Sequence, residues 1–171
     1  MSTRVLLIGM MGAGKTTVGR ALAARLDWDH LDSDEQVQRR TGRTVPEIFA
    51  TDGEAAFRVE EKAALAAAVA GERPVVVSVA GGAVLDPDNR RCLAEAGLVV
   101  WLRATVATLA ARVGRGEGRP LLGDDPGAVL ARLDRDRRPL YAELAEVVVD
   151  VEELTVDEAV ERIVERLSCP A

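Results

Sequence analysis

The sequence predicts an α/β fold of three layers, in which helices cover both faces of a parallel sheet. Short apolar runs alternate with segments of helical periodicity along the 171 residues, and this alternation is typical of parallel sheets whose strands are connected by helices. Several of the runs lack polar alternation, which indicates strands buried on both faces. With 48% apolar residues, a chain of this length can bury a sufficient core as one domain, residues 1–171.

Five short segments are predicted to be strands, and four of them are apolar runs. They are residues 4–8, 28–31, 74–79, 98–102 and 147–149. The first strand ends at Gly9 and the third is followed by Gly81 and Gly82, residues that let the backbone approach a ligand closely. Ligands of such folds bind beyond the carboxyl ends of the strands. We therefore expect the glycines and charges that follow the first three strands to meet in one cleft.

The segments between the strands are predicted to be helices, from apolar residues at helical spacing and from capping residues. Ser33 is interpreted as the N-cap of the second helix, which Gly42 ends. The predicted helices are residues 15–26, 33–40, 45–50, 54–70, 86–96, 105–113 and 126–145, and a final helix that ends at residue 167. Residues 114–125 are rich in Gly, Arg and Pro and have little periodicity, so we expect a mobile loop there.

A phosphate-binding motif follows the first strand. Residues 9–16 read Gly-Met-Met-Gly-Ala-Gly-Lys-Thr and match the Walker A pattern. In such a loop the backbone N–H groups surround phosphate oxygens, the lysine reaches the β- and γ-phosphates, and the threonine hydroxyl ligates magnesium. A glycine-rich turn that binds nothing has no need of the lysine. The sequence therefore predicts nucleotide binding, with the nucleotide-binding residues Gly12, Ala13, Gly14, Lys15, Thr16 and Thr17 and the magnesium ligand Thr16.

Two carboxylates follow the second strand, at Asp32 and Asp34. Residues two apart in extended backbone face the same side, so both side chains are expected to point into the cleft. One would hold magnesium, directly or through water, while the other orients an attacking hydroxyl group. The alternative is that Asp32, Ser33 and Asp34 merely cap the next helix. Because no acidic residue ends the third strand, Asp32 is the predicted carboxylate on the magnesium side.

Arginines are numerous near the predicted cleft, and guanidinium groups pair bidentately with carboxylates or phosphates. Arg58 lies between Glu54 and Glu61 on one helix, where a solvated ion pair is the simpler interpretation. The other candidates are Arg112, Arg115, Arg119, Arg135, Arg137 and Arg138. The residues alone do not choose among these arginines.

The aromatic residues leave a similar choice. Phe49 and Phe57 fit either core packing or the wall of an acceptor pocket, while Trp28, Trp101, Tyr141 and His30 are assigned to packing.

Taken together, the motifs resemble those of the shikimate kinase family along essentially the whole chain. The match is carried by the phosphate loop, Leu-Asp-Ser-Asp at residues 31–34, the segment at residues 48–58, Gly-Gly-Ala-Val at residues 81–84, Arg-Pro-Leu-Leu at residues 119–122 and Arg-Arg-Pro-Leu-Tyr at residues 137–141. One position departs from the family pattern of three glycines after the third strand, because Ala80 replaces the first. A positive φ angle there would be strained.

The resemblance implies transfer of the γ-phosphate of ATP to the 3-hydroxyl of shikimate, with Mg²⁺, on the route to chorismate and aromatic amino acids. It implies a P-loop kinase fold of the nucleoside-monophosphate-kinase type with a five-stranded parallel sheet, a substrate-binding region at about residues 33–62 and a lid at about residues 114–125. For the acceptor, the resemblance implies that Asp34 binds the hydroxyls and acts as base, and that Arg58 and Arg137 hold the shikimate carboxylate. It also implies backbone contacts to shikimate from Gly81 and Gly82, with Glu61 as support for the pocket. On the nucleotide side, Arg119 is implied to reach the phosphates and Arg112 to lie near adenine, while Lys15, Thr16 and Asp32 keep the roles given above.

Rival functions are kinases of the same architecture, such as a gluconate or nucleoside monophosphate kinase, and a nucleotide-operated switch. No Asn-Lys-x-Asp segment for guanine is present, which argues against a GTP switch. A third rival, a catalytically silent relative, rests only on Ala80.

The net charge of −6 argues against a general nucleic-acid binder. No run is long enough to span a bilayer, and Lys15 interrupts the N-terminal apolar run. We expect a cytoplasmic monomer without nucleic-acid or membrane partners.

Overall fold

The computed structural model describes residues 2–114 and 125–168. Within these residues five parallel strands form one sheet in the order β2-β3-β1-β4-β5. The strands are β1 (Arg4–Ile8), β2 (Asp29–Asp32), β3 (Val75–Ser78), β4 (Leu98–Arg103) and β5 (Val147–Asp150). The predicted α/β class and its five-stranded parallel sheet are confirmed.

Seven helices connect and cover these strands in the described part of the chain. They are α1 (Lys15–Leu26), α2 (Ser33–Thr41), α3 (Val45–Ala70), α4 (Pro87–Ala96), α5 (Val106–Val113), α6 (Pro126–Leu144) and α7 (Val156–Ser168), and a short 3₁₀ helix (Ala83–Leu85) precedes α4. Within residues 2–114 and 125–168, no helix combines the length and apolar character that crossing a membrane requires.

The core lies on both sides of the central strands. Val5, Leu6 and Leu7 of β1 are fully buried, as a strand between two helical layers requires. The edge strand β5 instead alternates, with Val149 buried and Val148 exposed. A separate small core lies between α2 and α3 and consists of Val37, Ile48, Phe57 and Ala64. The segment that follows β2 therefore has packing of its own beside the sheet.

The second strand begins one residue later than predicted. The backbone N–H of Trp28 donates to the carbonyl of Ala23 at 2.9 Å, so Trp28 closes the end of α1 instead of starting β2. The N–H of Asp29 then donates to the carbonyl of Pro74 at 3.1 Å. The turn from α1 to β2 begins at Asp27, the C-cap of α1, whose φ angle is 56°.

The predicted N-cap of α2 is wrong by one residue. Asp32 is the N-cap, and its Oδ1 accepts from the N–H groups of Asp34 at 3.0 Å and Glu35 at 3.4 Å. Ser33 is buried instead, and its Oγ accepts from the N–H of Ala80 at 2.8 Å. A carboxylate at the end of β2 reaches the free N–H groups of the first turn, which leaves the serine hydroxyl for the neighbouring turn.

The two helices predicted at residues 45–50 and 54–70 are parts of one element, α3. Gly53 breaks its regular geometry with φ 83° and ψ 177°, a conformation that glycine adopts without a steric penalty. The first part begins at Thr44, which forms a capping box with Glu47. The break lets the two parts of α3 point in different directions above the cleft.

Candidate active site

A cleft of about 680 Å³ opens at the carboxyl ends of β1, β2 and β3. It brings together most of the residues predicted from the sequence, namely Gly12, Gly14, Lys15, Thr16, Thr17, Asp32, Asp34, Arg58, Glu61, Gly81, Gly82, Arg112 and Arg137. Ala13 does not line it, because its side chain is buried and its N–H donates to the carbonyl of Met10 at 3.2 Å. Arg115 and Arg119 lie outside the described residues.

The phosphate loop has the backbone geometry that its glycines predict. The φ angles of Gly12 and Gly14 are 83° and 88°, in the region that other residues rarely adopt. A Cβ atom at Gly12 would also lie 2.8 Å from Cγ2 of Val113. The N-cap of α1 is Gly14, which has no side chain to satisfy the first N–H groups of the helix. These free N–H groups at the start of α1 can bind an anion.

Lys15 and Thr16 are held by contacts with the loop and with β2. The Lys15 Nζ atom donates to the carbonyls of Gly9 at 2.8 Å and Met10 at 3.0 Å, which keeps the ammonium group over the loop. The Thr16 hydroxyl donates to Oδ2 of Asp32 at 2.6 Å. One oxygen of Asp32 therefore caps α2, which was the alternative considered from the sequence. The other oxygen contacts Thr16, the predicted magnesium ligand.

The donors at Thr16 and Asp32 fit a magnesium ion. Mg²⁺ prefers oxygen ligands and is usually held by one or two protein groups together with substrate phosphates and water. A hydroxyl and a carboxylate that contact each other beside a phosphate loop supply such a pair. Among the described residues no group of three or more His, Cys, Asp or Glu side chains could hold a metal ion. A magnesium ion at this site would therefore take most of its ligands from a nucleotide and water.

Arg58 lies across the cleft and is aimed by two glutamates. Its Nη1 donates to both Oε atoms of Glu61 at 2.9 Å, and its Nη2 donates to Glu54 at 3.0 Å. Glu61 is only 1% exposed. Burial raises the pKa of Glu61, and the Arg58 charge opposes that effect. The solvated i,i+4 ion pair considered from the sequence is present between Arg58 and Glu54. Glu61 adds a second pair with Arg58, in which the carboxylate is buried and the guanidinium is partly exposed.

Arg137 is a buried cation on α6 and is 2% exposed. Among the residues that the structure describes it has no ion-pair partner, and its Nε atom has no hydrogen-bond partner. Asp134, one turn earlier, is engaged by Arg138, whose Nε lies 2.8 Å from Oδ2. A buried charge without a direct ion pair is costly, and the Glu61 carboxylate interacts with Arg137 only through a longer-range electrostatic effect. The site therefore calls for an anionic ligand at Arg137.

The glycine turn after β3 brings the two arginines close to the backbone. A Cβ atom at Gly82 would lie 2.5 Å from both Nη atoms of Arg58. A Cβ atom at Gly81 would lie 3.3 Å from Nη1 of Arg137 and 3.1 Å from the carbonyl oxygen of Gly9. Only glycine leaves space for both guanidinium groups at this turn. The turn therefore joins the phosphate loop to a cationic floor made by residues from α3 and α6.

We expect Gly82→Ala to weaken binding of an anionic acceptor roughly tenfold, about the effect of losing one charge-assisted hydrogen bond. The added methyl group meets only the flexible end of Arg58, so the guanidinium moves while the fold keeps its stability. Steady-state kinetics and thermal unfolding test both parts. Gly71→Ala is the matched control, because nothing lies within 4 Å of its Cβ position. Equal acceptor KM values for the two variants would contradict this role of Gly82.

The backbone at Ala80 is compatible with its methyl group. Among the described residues, Asp27 is the only one besides glycine with a positive φ angle. A third glycine is therefore not required here for backbone geometry. The N–H of Ala80 donates to Oγ of Ser33, which ties the turn after β3 to the turn after β2.

Two contacts of the site were not predicted from the sequence. The Tyr141 hydroxyl donates to the carbonyl of Gly81 at 2.7 Å, although the ring is also packed in the core, as predicted. The spacing of Arg137 and Tyr141 was an available signal, because residues four apart lie on one helix face. The second is the contact between Ser33 and Ala80 described above, which joins residues far apart in the sequence.

The remaining candidates divide between site and support. Phe49 and Phe57 pack together with ring centroids 4.9 Å apart, and both also line the cleft, so both interpretations apply. Arg112 lies beside the phosphate loop and donates to the carbonyl of Val151 at 2.8 Å. Arg135 is exposed and pairs loosely with Asp136 at 3.7 Å.

Comparison with known proteins decides the family. The family model described as shikimate kinase matches residues 11–168. The chain belongs to the shikimate kinase family. A shikimate kinase of Thermobifida fusca is 48% identical over 169 residues, which are 98% of this chain and 97% of the relative.

Solved structures agree with this family. A shikimate kinase from Acinetobacter baumannii in complex with shikimate has a TM-score of 0.94 and 36% identity, and the match covers 98% of this chain and 94% of that one. A gluconokinase from Sinorhizobium meliloti has a TM-score of 0.64 and 24% identity, with 96% of this chain and 95% of that one covered. The second likeness shows a shared fold alone, so the shikimate kinase relationship outweighs the gluconate kinase alternative.

Proposed function

We propose that this chain is an enzyme that transfers the γ-phosphate of ATP to the 3-hydroxyl of shikimate, giving shikimate 3-phosphate for chorismate and aromatic amino acid biosynthesis. The family relationship supports this function. The observation that carries it is the buried Arg137, a cation without an ion-pair partner in the described part of the chain, beside the cleft lined by Arg58 and the phosphate loop. Shikimate has the single carboxylate that such a pair of guanidinium groups would bind.

On the donor side, the residues of the phosphate loop hold and orient ATP. N–H groups at the start of α1, together with Thr17, bind phosphate oxygens. Lys15 moves from the carbonyls of Gly9 and Met10 to the β- and γ-phosphates, where its charge stabilises the transition state. Arg112 is assigned to the adenine of ATP because of the family resemblance. Arg119, which is outside the described residues, is assigned to the phosphates because of the family resemblance.

Thr16 and Asp32 would hold the magnesium ion. When bound, Mg²⁺ offsets negative charge that develops on the β- and γ-phosphates. Asp32 also keeps the Thr16 hydroxyl oriented through their 2.6 Å hydrogen bond. Because the same carboxylate caps α2, the position of the ion is tied to the helix that carries Asp34.

On the acceptor side, Arg58 and Arg137 bind the carboxylate of shikimate, while backbone groups of Gly81 and Gly82 contact the ring. Glu61 acts through Arg58, which it holds by two hydrogen bonds of 2.9 Å. Asp34 orients the 3-hydroxyl. The hydroxyl oxygen forms a bond to the γ-phosphorus, the bond from that phosphorus to the β–γ bridging oxygen breaks, and the proton passes to the Asp34 carboxylate.

A coupled assay of ADP release tests this function. The enzyme is offered ATP and Mg²⁺ with shikimate, gluconate, AMP or no acceptor. We expect release that depends on shikimate, with little release in the other three reactions. Release that ignores shikimate would refute the proposal, and release that depends on gluconate would favour the rival kinase.

We further infer that residues 1–171 form one kinase domain, with a substrate-binding region at about residues 33–62 and a lid at about residues 114–125. The small core between α2 and α3 supports a separately packed substrate-binding region. A lid would exclude water, which otherwise competes with the acceptor for the phosphoryl group. We also propose that the enzyme acts as a cytoplasmic monomer without nucleic-acid or membrane partners.

A further inference from the structure

A hydrogen-bonded chain runs behind the phosphate loop, from β2 through β3 to α1. His30 lies two residues before Asp32 on β2, so both side chains face α1. The Nε2 atom of His30 lies 2.9 Å from Oγ of Ser78, the last residue of β3. The same Oγ lies 2.9 Å from the carbonyl oxygen of Lys15, the first residue of α1. β3 thereby contacts Lys15 directly, and β2 is linked to Lys15 through Ser78.

The chemistry of these groups fixes the direction of the chain. A carbonyl oxygen only accepts, so the Ser78 hydroxyl must donate its single hydrogen to Lys15. The Ser78 oxygen is then available only as an acceptor toward His30, and the Nε2 atom of His30 must carry hydrogen. The geometry of the two hydrogen bonds therefore favours the Nε2–H tautomer of the His30 ring.

Gly19 provides the space for this chain. It lies in α1 one turn after Lys15, where glycine is roughly 1 kcal/mol less favourable than alanine. A Cβ atom at Gly19 would lie 2.6 Å from Oγ of Ser78 and 2.8 Å from Nε2 of His30. The helix therefore accepts a poor helix former so that its first turn can approach the strands closely.

We propose that His30 and Ser78 are positioning residues for the nucleotide side of the reaction. They hold the first turn of α1 through the Lys15 carbonyl, while Asp32 holds the next residue, Thr16. The proposal rests on the proposed function, because it concerns the binding and use of ATP. It does not involve the acceptor, since within residues 2–114 and 125–168 neither side chain forms a hydrogen bond or an ion pair with Arg58 or Arg137.

Kinetics with the full chain separate this role from a general loss of stability. Ser78→Ala should lower kcat/KM for ATP by roughly three- to tenfold, as expected for one hydrogen bond, and should leave KM for shikimate unchanged. Val77→Ala is the control, because it shortens a buried side chain of the same strand. Neighbouring residues of a strand face opposite sides, so Val77 points away from α1. A loss for ATP no larger than in Val77→Ala, or equal losses for ATP and shikimate, would overturn the proposal.

A matched pair at His30 and a double-mutant cycle test the chain without relying on Ser78→Ala alone. His30→Leu should lower kcat/KM for ATP by part of the amount seen in Ser78→Ala. His30→Gln keeps an N–H donor at similar reach and should therefore keep the native value. Gly19→Ala should lower kcat/KM for ATP in the native background and should lower it less beside Ser78→Ala, because the nearer of the two clashing side chains has lost its oxygen while His30 remains. Additive effects, or identical values for the leucine and glutamine variants, would contradict the proposal.

Spectroscopy provides a readout that is independent of catalysis. His30 is the only histidine in the chain, so a long-range ¹H–¹⁵N spectrum of tag-free protein at about pH 8, above the usual histidine pKa, reports its ring alone. The native protein should show the Nε2–H tautomer, and Ser78→Ala should give a mixture. An Nδ1–H tautomer in the native protein would overturn the proposal. Titration with ADP shows whether nucleotide binding weakens in Ser78→Ala even if the acceptor were not shikimate.

Discussion

Replacing Arg137 with alanine is expected to raise KM for shikimate by about a hundredfold or more, while KM for ATP changes little. A bidentate, charge-assisted contact with a carboxylate contributes roughly 3 kcal/mol, and 1.4 kcal/mol corresponds to a factor of ten. The fold should tolerate the change, because the buried guanidinium forms no direct ion pair among the described residues. Steady-state kinetics with each substrate varied in turn measure the effect.

Arg135→Ala is the matched control for that variant. It removes the same charge from the same helix, but its side chain is 77% exposed and contacts no part of the cleft. Its kinetic constants should stay close to those of the native enzyme. If both variants changed KM for shikimate equally, the effect would come from overall charge, and the assignment of the carboxylate to Arg137 would be wrong.

Asp34→Asn should lower kcat by about 10²- to 10⁴-fold, the range typical of a residue that accepts a proton from the reacting group. The amide keeps the size of the side chain and most of its hydrogen-bonding ability, so KM for shikimate should change much less than in Arg137→Ala. Thermal unfolding should remain near that of the native protein, because the capping carboxylate of α2 belongs to Asp32.

Glu35→Gln serves as the control for Asp34→Asn. Its carboxylate is adjacent in the sequence but pairs with Arg20 at 2.8 Å on the protein surface. It should leave kcat essentially unchanged. A loss of kcat below about tenfold in Asp34→Asn would mean that Asp34 only orients the hydroxyl and that its proton leaves by another route.

The parts of the molecule that depend on local sequence were predictable. The phosphate loop is a contiguous motif, and its strand, glycines and helix start follow from eight neighbouring residues. The alternation of strands and helices likewise follows from short-range periodicity. The errors at Trp28 and at the N-cap of α2 are each one residue wide. They arise because hydrogen bonds accepted by the Ala23 carbonyl and by the Asp32 carboxylate set the ends of the elements, which the sequence pattern does not show.

Contacts between distant segments were not predictable from local patterns. Six arginines were candidates besides Arg58, and only the family resemblance selected Arg137, because α6 brings it beside Gly81 across the fold. The Tyr141 hydroxyl bond to Gly81 spans 60 positions. The contact between His30 and Ser78 spans 48 positions, and its meaning depends on how closely α1 approaches the sheet at Gly19.

Identification of the phosphorylated product tests the central claim most directly. The enzyme is incubated with ATP, Mg²⁺ and shikimate, and the product is examined by ¹H–³¹P correlation spectroscopy. The proposed function predicts a single new phosphate ester whose phosphorus couples to the proton on carbon 3 of shikimate. Coupling to a proton on another carbon, or ADP formed together with inorganic phosphate alone, would contradict it.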